Sequence, residues 1–146
     1  MLLKAFTLVS FALTAFAAPA PSKTFGPVTI FSPPADYIIP RTLYARSVLL
    51  DNGDLLATWE NYSPEPQNNS VYFPIYKSSD HGKSWKHISN VTDQVNGWGL
   101  RYQPFLFELP QAIGDYSAGT ILLAGNSIPT NLSNTQIDIY ASTDKG

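Results

Sequence analysis

Short apolar runs, each about the length of a strand, alternate along the chain with clusters of Gly, Pro, Asn and Asp, and no long stretch carries a helical period. Residues 28–31 form the first run, closed by Pro33-Pro34. Residues 46–50 form the second. Asp51-Asn52-Gly53-Asp54 then supplies a tight turn, because Asn-Gly tolerates the positive φ that a two-residue hairpin demands. Residues 55–59 return as the third strand. Residues 62–70, with Pro64 and Pro66, read as a polar loop, and residues 71–77 and 85–88 as two further strands. A second cycle follows: residues 103–109, then 120–124, whose Leu-Leu-Ala matches Leu55-Leu56-Ala57, then 137–141, which match 75–77. The runs are continuous more often than alternating, which predicts strands buried on both faces, as in a sheet held between two others.

One motif gives these strands an architecture. Ser78-Ser79-Asp80-His81-Gly82-Lys83-Ser84-Trp85 fits S-x-D-x-G-x-[ST]-W, the Asp-box, and Ser142-Thr143-Asp144-Lys145-Gly146 repeats its opening. Each follows an Ile-Tyr pair, Ile75-Tyr76 and Ile139-Tyr140. The Asp carboxylate accepts hydrogen bonds from its own turn, Gly takes the left-handed conformation, and the Trp is expected to fold back as an apolar plug between neighbouring sheets. Asp80 and Asp144 are therefore read as architecture, closing a hairpin between the third and fourth strands of a blade. Repeats of this kind make an all-β propeller whose blades bury their faces only against each other. Blade one is expected over about 41–90 and an incomplete blade two over about 100–146. The array is expected to stop before the ring closes, which would leave an isolated chain of this length marginal or aggregation-prone.

Composition narrows the class. The chain is 44% apolar, 13% aromatic and 14% charged, with net charge −2 and scattered Lys and Arg, so it is globular and carries no basic stripe for nucleic acid. Residues 1–17 read as an export signal: Lys4 precedes a mostly apolar run, and Ala15-Phe16-Ala17 fits the cleavage rule. That run is too short to anchor the chain in a membrane, and Pro19 and Pro21 follow it at once. The expected product, residues 18–146, is secreted. It has no cysteine, so its fold rests on packing alone. Sequons begin at Asn61, Asn68, Asn90 and Asn131; Pro64 weakens the first, and Asn68, Asn90 and Asn131 are the glycosylation candidates. His81 and His87 do not cluster, and no phosphate loop or Ser-His-Asp pattern is present, so no metal or cofactor is expected.

The Asp-box places the chain in a superfamily that includes the sialidases. Tyr44-Ala45-Arg46-Ser47-Val48-Leu49-Leu50 followed by Asn52-Gly53-Asp54 resembles their first blade but lacks its Ile-Pro pair. The fungal exo-1,5-α-L-arabinanases, six-bladed propellers of the same superfamily, are more similar. The resemblance lies in Ile39-Pro40-Arg41-Thr42-Leu43-Tyr44-Ala45-Arg46-Ser47, Trp59-Glu60-Asn61-Tyr62-Ser63, Gly97-Trp98-Gly99-Leu100-Arg101-Tyr102-Gln103-Pro104-Phe105 and Ala124-Gly125-Asn126-Ser127. It implies an N-terminal fragment, about two blades, of a six-bladed sialidase-like β-propeller that hydrolyses α-1,5-linked arabinan from a chain end. It also implies two carboxylic acids, no metal, and catalytic acids in later blades.

The residues bear on the same point. Glycosidases flank one bond with a proton donor and a second carboxylate, and the glutamates here are Glu60, Glu65 and Glu108. Glu65 lies in a Pro-rich loop, Glu108 at the far end of its strand, and only Glu60 near other pocket candidates. Arg46 offers a fork of donors to sugar hydroxyls, or a salt bridge inside its blade. Trp98, Arg101, Tyr102 and Gln103 lead into the second innermost strand, where an aromatic face can stack on a sugar or pack under a loop. Glu60 serves either the sugar or a neighbouring arginine. The competing readings are a sialidase-type glycosidase, which needs arginines around the axis, and a sugar-binding propeller without a carboxylate pair.

Overall fold

The structure, a computed structural model, describes residues 26–64 and 71–146. The expected export signal, Glu65 and the Asn68 sequon lie outside the described residues. Seven strands make two antiparallel sheets. The first has β1 (Thr42–Leu49), β2 (Leu55–Asn61), β3 (Phe73–Ser78) and β4 (Lys86–Val91) in that order; the second has β5 (Leu100–Glu108), β6 (Ile121–Ser127) and β7 (Gln136–Ser142). Each sheet matches one cycle of the sequence. Residues 28–31, expected as a strand, are not one. Pro27, Pro33 and Pro34 supply no amide donors for a ladder, and Phe31 is used instead as a cover. Its ring stacks on Trp59 at 5.3 Å and leans on Tyr37 and Tyr76 over the outward face of the first sheet.

The β1–β2 turn is one residue longer than the expected two-residue hairpin. Leu50 donates to the Asp54 carbonyl at 2.8 Å and Gly53 to the Leu50 carbonyl at 2.8 Å, with Gly53 at φ 87. This is a turn followed by a left-handed glycine. Asn52 sets it, accepting from the Asp54 amide and donating to its carboxylate, both at 3.0 Å.

The two boxes superpose bond for bond. Ser78 donates to Asp80 at 2.8 Å and accepts from the Gly82 amide at 2.9 Å; Ser142 donates to Asp144 at 2.7 Å and accepts from the Gly146 amide at 2.8 Å. His81 and Lys145 share the left-handed conformation, at φ 60 and 67, as do Gly82 and Gly146. In the complete box Asp80 also accepts from the Ser84 hydroxyl at 2.6 Å and amide at 2.9 Å. Trp85 folds back on its own hairpin, half-buried, with Nε1 donating to the Gly82 carbonyl at 3.1 Å. It lines a cleft with Lys77, Ser79, Ser84, Lys86 and Ile88 of the same blade.

The Ser84 hydroxyl and amide hold Asp80 down at about 2. Its folded pKa lies below the ordinary 3.8, so its charged form stabilises the fold above about pH 4, and that contribution is lost as pH falls through 2. Asp80→Asn is expected to flatten the fall of melting temperature between pH 4 and 2, read by circular dichroism.

The sheets stack through Leu50, Leu56, Phe73 and Ile75 of the first and Leu100, Leu106, Ile121 and Leu123 of the second. The ladders fix which residues correspond. Leu55 pairs with Ser78 and Ile121 with Ser142, so Leu55 corresponds to Ile121. The Leu-Leu-Ala match in the sequence is therefore one residue out of register, and a slip of one exchanges the faces of a strand. In the observed register Leu56, Phe73 and Ile75 correspond to Leu122, Ile137 and Ile139. Phe73 and Ile75 are 0% and 3% exposed against the second sheet; Ile137 and Ile139 are 72% and 68% exposed on its far face. Burial on both faces accordingly holds for β2, whereas β5 and β6 alternate because one face of their sheet is covered.

Candidate functional site

The first strands of the two sheets carry the same irregularity at the same rung. In β1, Leu43 pairs with Glu60 and Arg46 with Thr58; in β5, Tyr102 pairs with Asn126 and Phe105 with Ala124. Over this interval each first strand thus holds one extra residue, a bulge of the kind that re-aims side chains at the rims of sheets, and β5 carries a second shift between Leu100 and Tyr102. Tyr44 in β1 and Gln103 in β5 occupy equivalent places, and both are left-handed, at φ 49 and 57. For residues with a Cβ this conformation costs on the order of 1–2 kcal/mol, so something must hold it.

At Gln103 the holding group is Glu60. Its side chain is 1% exposed. One carboxylate oxygen accepts the Gln103 amide at 2.9 Å and the other the Tyr62 hydroxyl at 2.7 Å. Burial, and then the Glu60 carboxylate, push the Tyr62 phenol well above its ordinary range. Glu60 was expected either on the sugar or on an arginine. It lies beneath the rim and bonds a main-chain amide and a phenol.

The other candidates spread along the same edge. Arg46 is exposed in β1, its Nη1 donating to the Ala45 carbonyl at 3.2 Å. Arg101 is half-buried; its Nε donates to the Ile128 carbonyl at 2.8 Å and its Nη2 to the Thr130 hydroxyl at 3.2 Å. Tyr102 and Arg101 line a cavity of about 30 Å³ with Ile38, Asn61, Tyr62, Ser63 and Val71, room for roughly one water. Gln103 is exposed. The structure therefore brings Glu60, Tyr62, Tyr102 and Gln103 together, with Arg46 further along the same edge in β1. A cleft of about 480 Å³ lies elsewhere, between β4 and the outer strand β7.

Asp93, which the sequence reading passed over, organises the approach to this edge. One oxygen accepts from the amides of Val95 at 2.9 Å and Asn96 at 3.2 Å and from the Tyr140 hydroxyl at 3.3 Å. The other accepts from the amides of Trp98 at 2.9 Å and Gly99 at 3.2 Å and from the Ser127 hydroxyl at 2.5 Å. Burial pushes the carboxyl up, but the Ser127 hydroxyl and the amides of Val95, Asn96 and Gly99 outweigh it and hold it far below the carboxylate range. The loop that delivers Trp98 and Arg101 is thus wound around one carboxylate. The available signal was an Asp shortly ahead of Asn96-Gly97, an Asx-type loop start. Glu108 is also engaged, accepting from the Asp51 amide at 2.7 Å and pairing with Lys145 at 2.9 Å.

The remaining assignments are positional. Asn90 is exposed, its side chain 2.8 Å from His87 Nε2, and Asn131 is exposed, accepting from the Ser133 amide at 3.0 Å; Asn61 is 5% exposed. Among the described residues no three His, Cys, Asp or Glu side chains gather as metal ligands.

No protein-family model matches the chain, and no curated protein does. Solved structures do. An α-L-arabinanase of Penicillium chrysogenum complexed with arabinobiose is 68% identical, with a TM-score of 0.79, over 82% of this chain and 33% of its own. The GH93 α-L-arabinofuranosidase of Fusarium graminearum, solved with arabinobiose, is 60% identical, with a TM-score of 0.77, over 80% of this chain and 32% of its own. The same Fusarium enzyme has been solved with an iminosugar inhibitor at the same identity and coverage. The chain thus spans about a third of the length of the structures it matches.

Proposed function

We propose that this chain, which belongs to the fungal exo-1,5-α-L-arabinanase family and forms two successive blades of its sialidase-like propeller, is part of a secreted glycoside hydrolase that releases sugar from one end of α-1,5-linked arabinan. The observation that carries the reading is identity of 60–68% over four-fifths of the chain to arabinan-degrading enzymes.

In this reading the bulged edge forms one sector of a sugar-binding mouth. Arg46, Trp98, Arg101, Tyr102 and Gln103 supply hydrogen bonds and an aromatic face, and arabinan oligosaccharide is the partner. The bond-breaking acids belong to other blades. Glycoside hydrolysis needs two carboxyl groups about 5 to 9.5 Å apart across the bond, each free to exchange a proton or form a bond. Glu60 and Glu108 are 1% and 8% exposed, and each already accepts two hydrogen bonds. The box aspartates are tied into their turns.

The experiment is reducing-sugar release from linear α-1,5-arabinan. The complete propeller is expected to release product and the purified 146-residue chain none. Release by the short chain would show that its own carboxylates suffice, and inactivity of the complete propeller would remove the arabinanase reading.

A further inference from the structure

We propose that Glu60 is a positioning residue: a buried carboxylate of one blade that holds the left-handed bulge of the next, and so fixes Gln103 at the rim. The inference rests on the reading of that edge as a sugar-binding mouth, but the clamp itself stands on geometry.

Four observations carry it. The bulges of β1 and β5 fall on the same rung, with Tyr44 and Gln103 as their left-handed residues. The side chain that meets the second bulge comes from the facing sheet, since Glu60 closes β2 while Gln103 lies in β5. Glu60 is 1% exposed and both of its oxygens are used, one by the Gln103 amide and one by Tyr62. On the second sheet the residue on the same rung is Asn126, again polar and again at the end of a middle strand. A bulge withdraws its amide from the ladder, and a buried amide without an acceptor is costly. Glu60 supplies that acceptor from across the interface. Rim geometry is thereby coupled to blade packing.

The variants separate this role from general support. Glu60→Gln keeps an acceptor for Gln103 and a polar group for Tyr62. Glu60→Ala removes both. Tyr62→Phe removes only the phenol. In the complete propeller, hydrogen exchange at the Gln103 amide is expected to speed about ten- to a hundredfold in Glu60→Ala, as for loss of one charge-assisted bond. Exchange at Leu106 and Phe107 should hold. Glu60→Gln should restore most of the protection. The dissociation constant for arabinobiose should rise about tenfold in Glu60→Ala and return toward wild type in Glu60→Gln.

Unchanged exchange at Gln103 in Glu60→Ala would overturn the clamp. Faster exchange with unchanged arabinobiose affinity would leave the clamp standing and overturn its role at the mouth. A wild-type protein that exchanges as expected but neither binds arabinobiose nor cleaves arabinan would defeat the functional reading rather than the clamp. If Glu60→Ala does not fold, Tyr62→Phe and Glu60→Gln decide: both must keep Gln103 protected, and loss of protection in Glu60→Gln alone counts against an acceptor role.

Discussion

Gly125→Ala is expected to destabilise the fold by about 1–3 kcal/mol, the range for forcing extra atoms into a packed core. Gly125 lies in β6 opposite the ring of Phe73 in β3. A Cβ at this position would sit 2.9 Å from Phe73 Cζ and closer still to Cε2. The flexible end of a surface side chain could yield. Phe73 cannot, because it is 0% exposed and belongs to the cluster that joins the sheets. The substitution therefore either separates the blades or drives the ring from its rotamer. Urea unfolding should show a lower midpoint with an unchanged slope. Adding Phe73→Leu, itself a cavity-forming change, should cost less than the sum of the two single changes, because the smaller side chain makes room for the new methyl. A Gly125→Ala protein as stable as wild type would mean that the sheets do not approach this closely.

Asp93→Ala is expected to cost as much or more, about 1–3 kcal/mol for each buried donor that it leaves unsatisfied. It leaves the Gly99 amide without its side-chain acceptor, and the Trp98 amide and Ser127 hydroxyl with only Asn96 Oδ1. Asp93→Asn keeps one acceptor oxygen and should fall between. The folded pKa of Asp93 is depressed, so its contribution is complete above about pH 4 and is lost progressively as pH falls below that toward the folded value. The wild type should accordingly lose stability on acidification, and the gap between wild type and Asp93→Ala should narrow below pH 4. A gap independent of pH would mean that the charge of Asp93 is not what holds the linker.

The sequence showed the elements that local chemistry determines. Seven of the eight expected strands are present, and the Ser-Asp-Gly corner forms the bonds its residue types imply, because Asp80 and Gly82 act within their own turn. What was hidden depends on partners distant in the chain. Residues 28–31 have strand-like side chains, but Phe31 answers to Trp59 and Tyr76. The register of β6 was misread because Leu-Leu-Ala recurs by composition while the ladder is set by Ser142. Asp93 drew no reading, and Glu60 looked like a pocket acid. Their partners, Ser127 and Gln103, lie across the blade interface, which no spacing along the chain reveals.

The central claim is that the second sheet repeats the first and presents the same face onward. Substituting Ile139, the counterpart of Ile75, by lysine in the complete propeller and recording its thermal unfolding tests this most directly. Because Ile139 is 68% exposed in the two-blade unit, the substitution should be nearly neutral there, within about 0.5 kcal/mol as for an ordinary surface change. In the complete propeller it should prevent folding or lower the melting temperature by many degrees, as burying an unpaired charge would. A complete propeller that melts at the wild-type temperature with Ile139→Lys would show that no further blade covers this face, and the repeat account would fail.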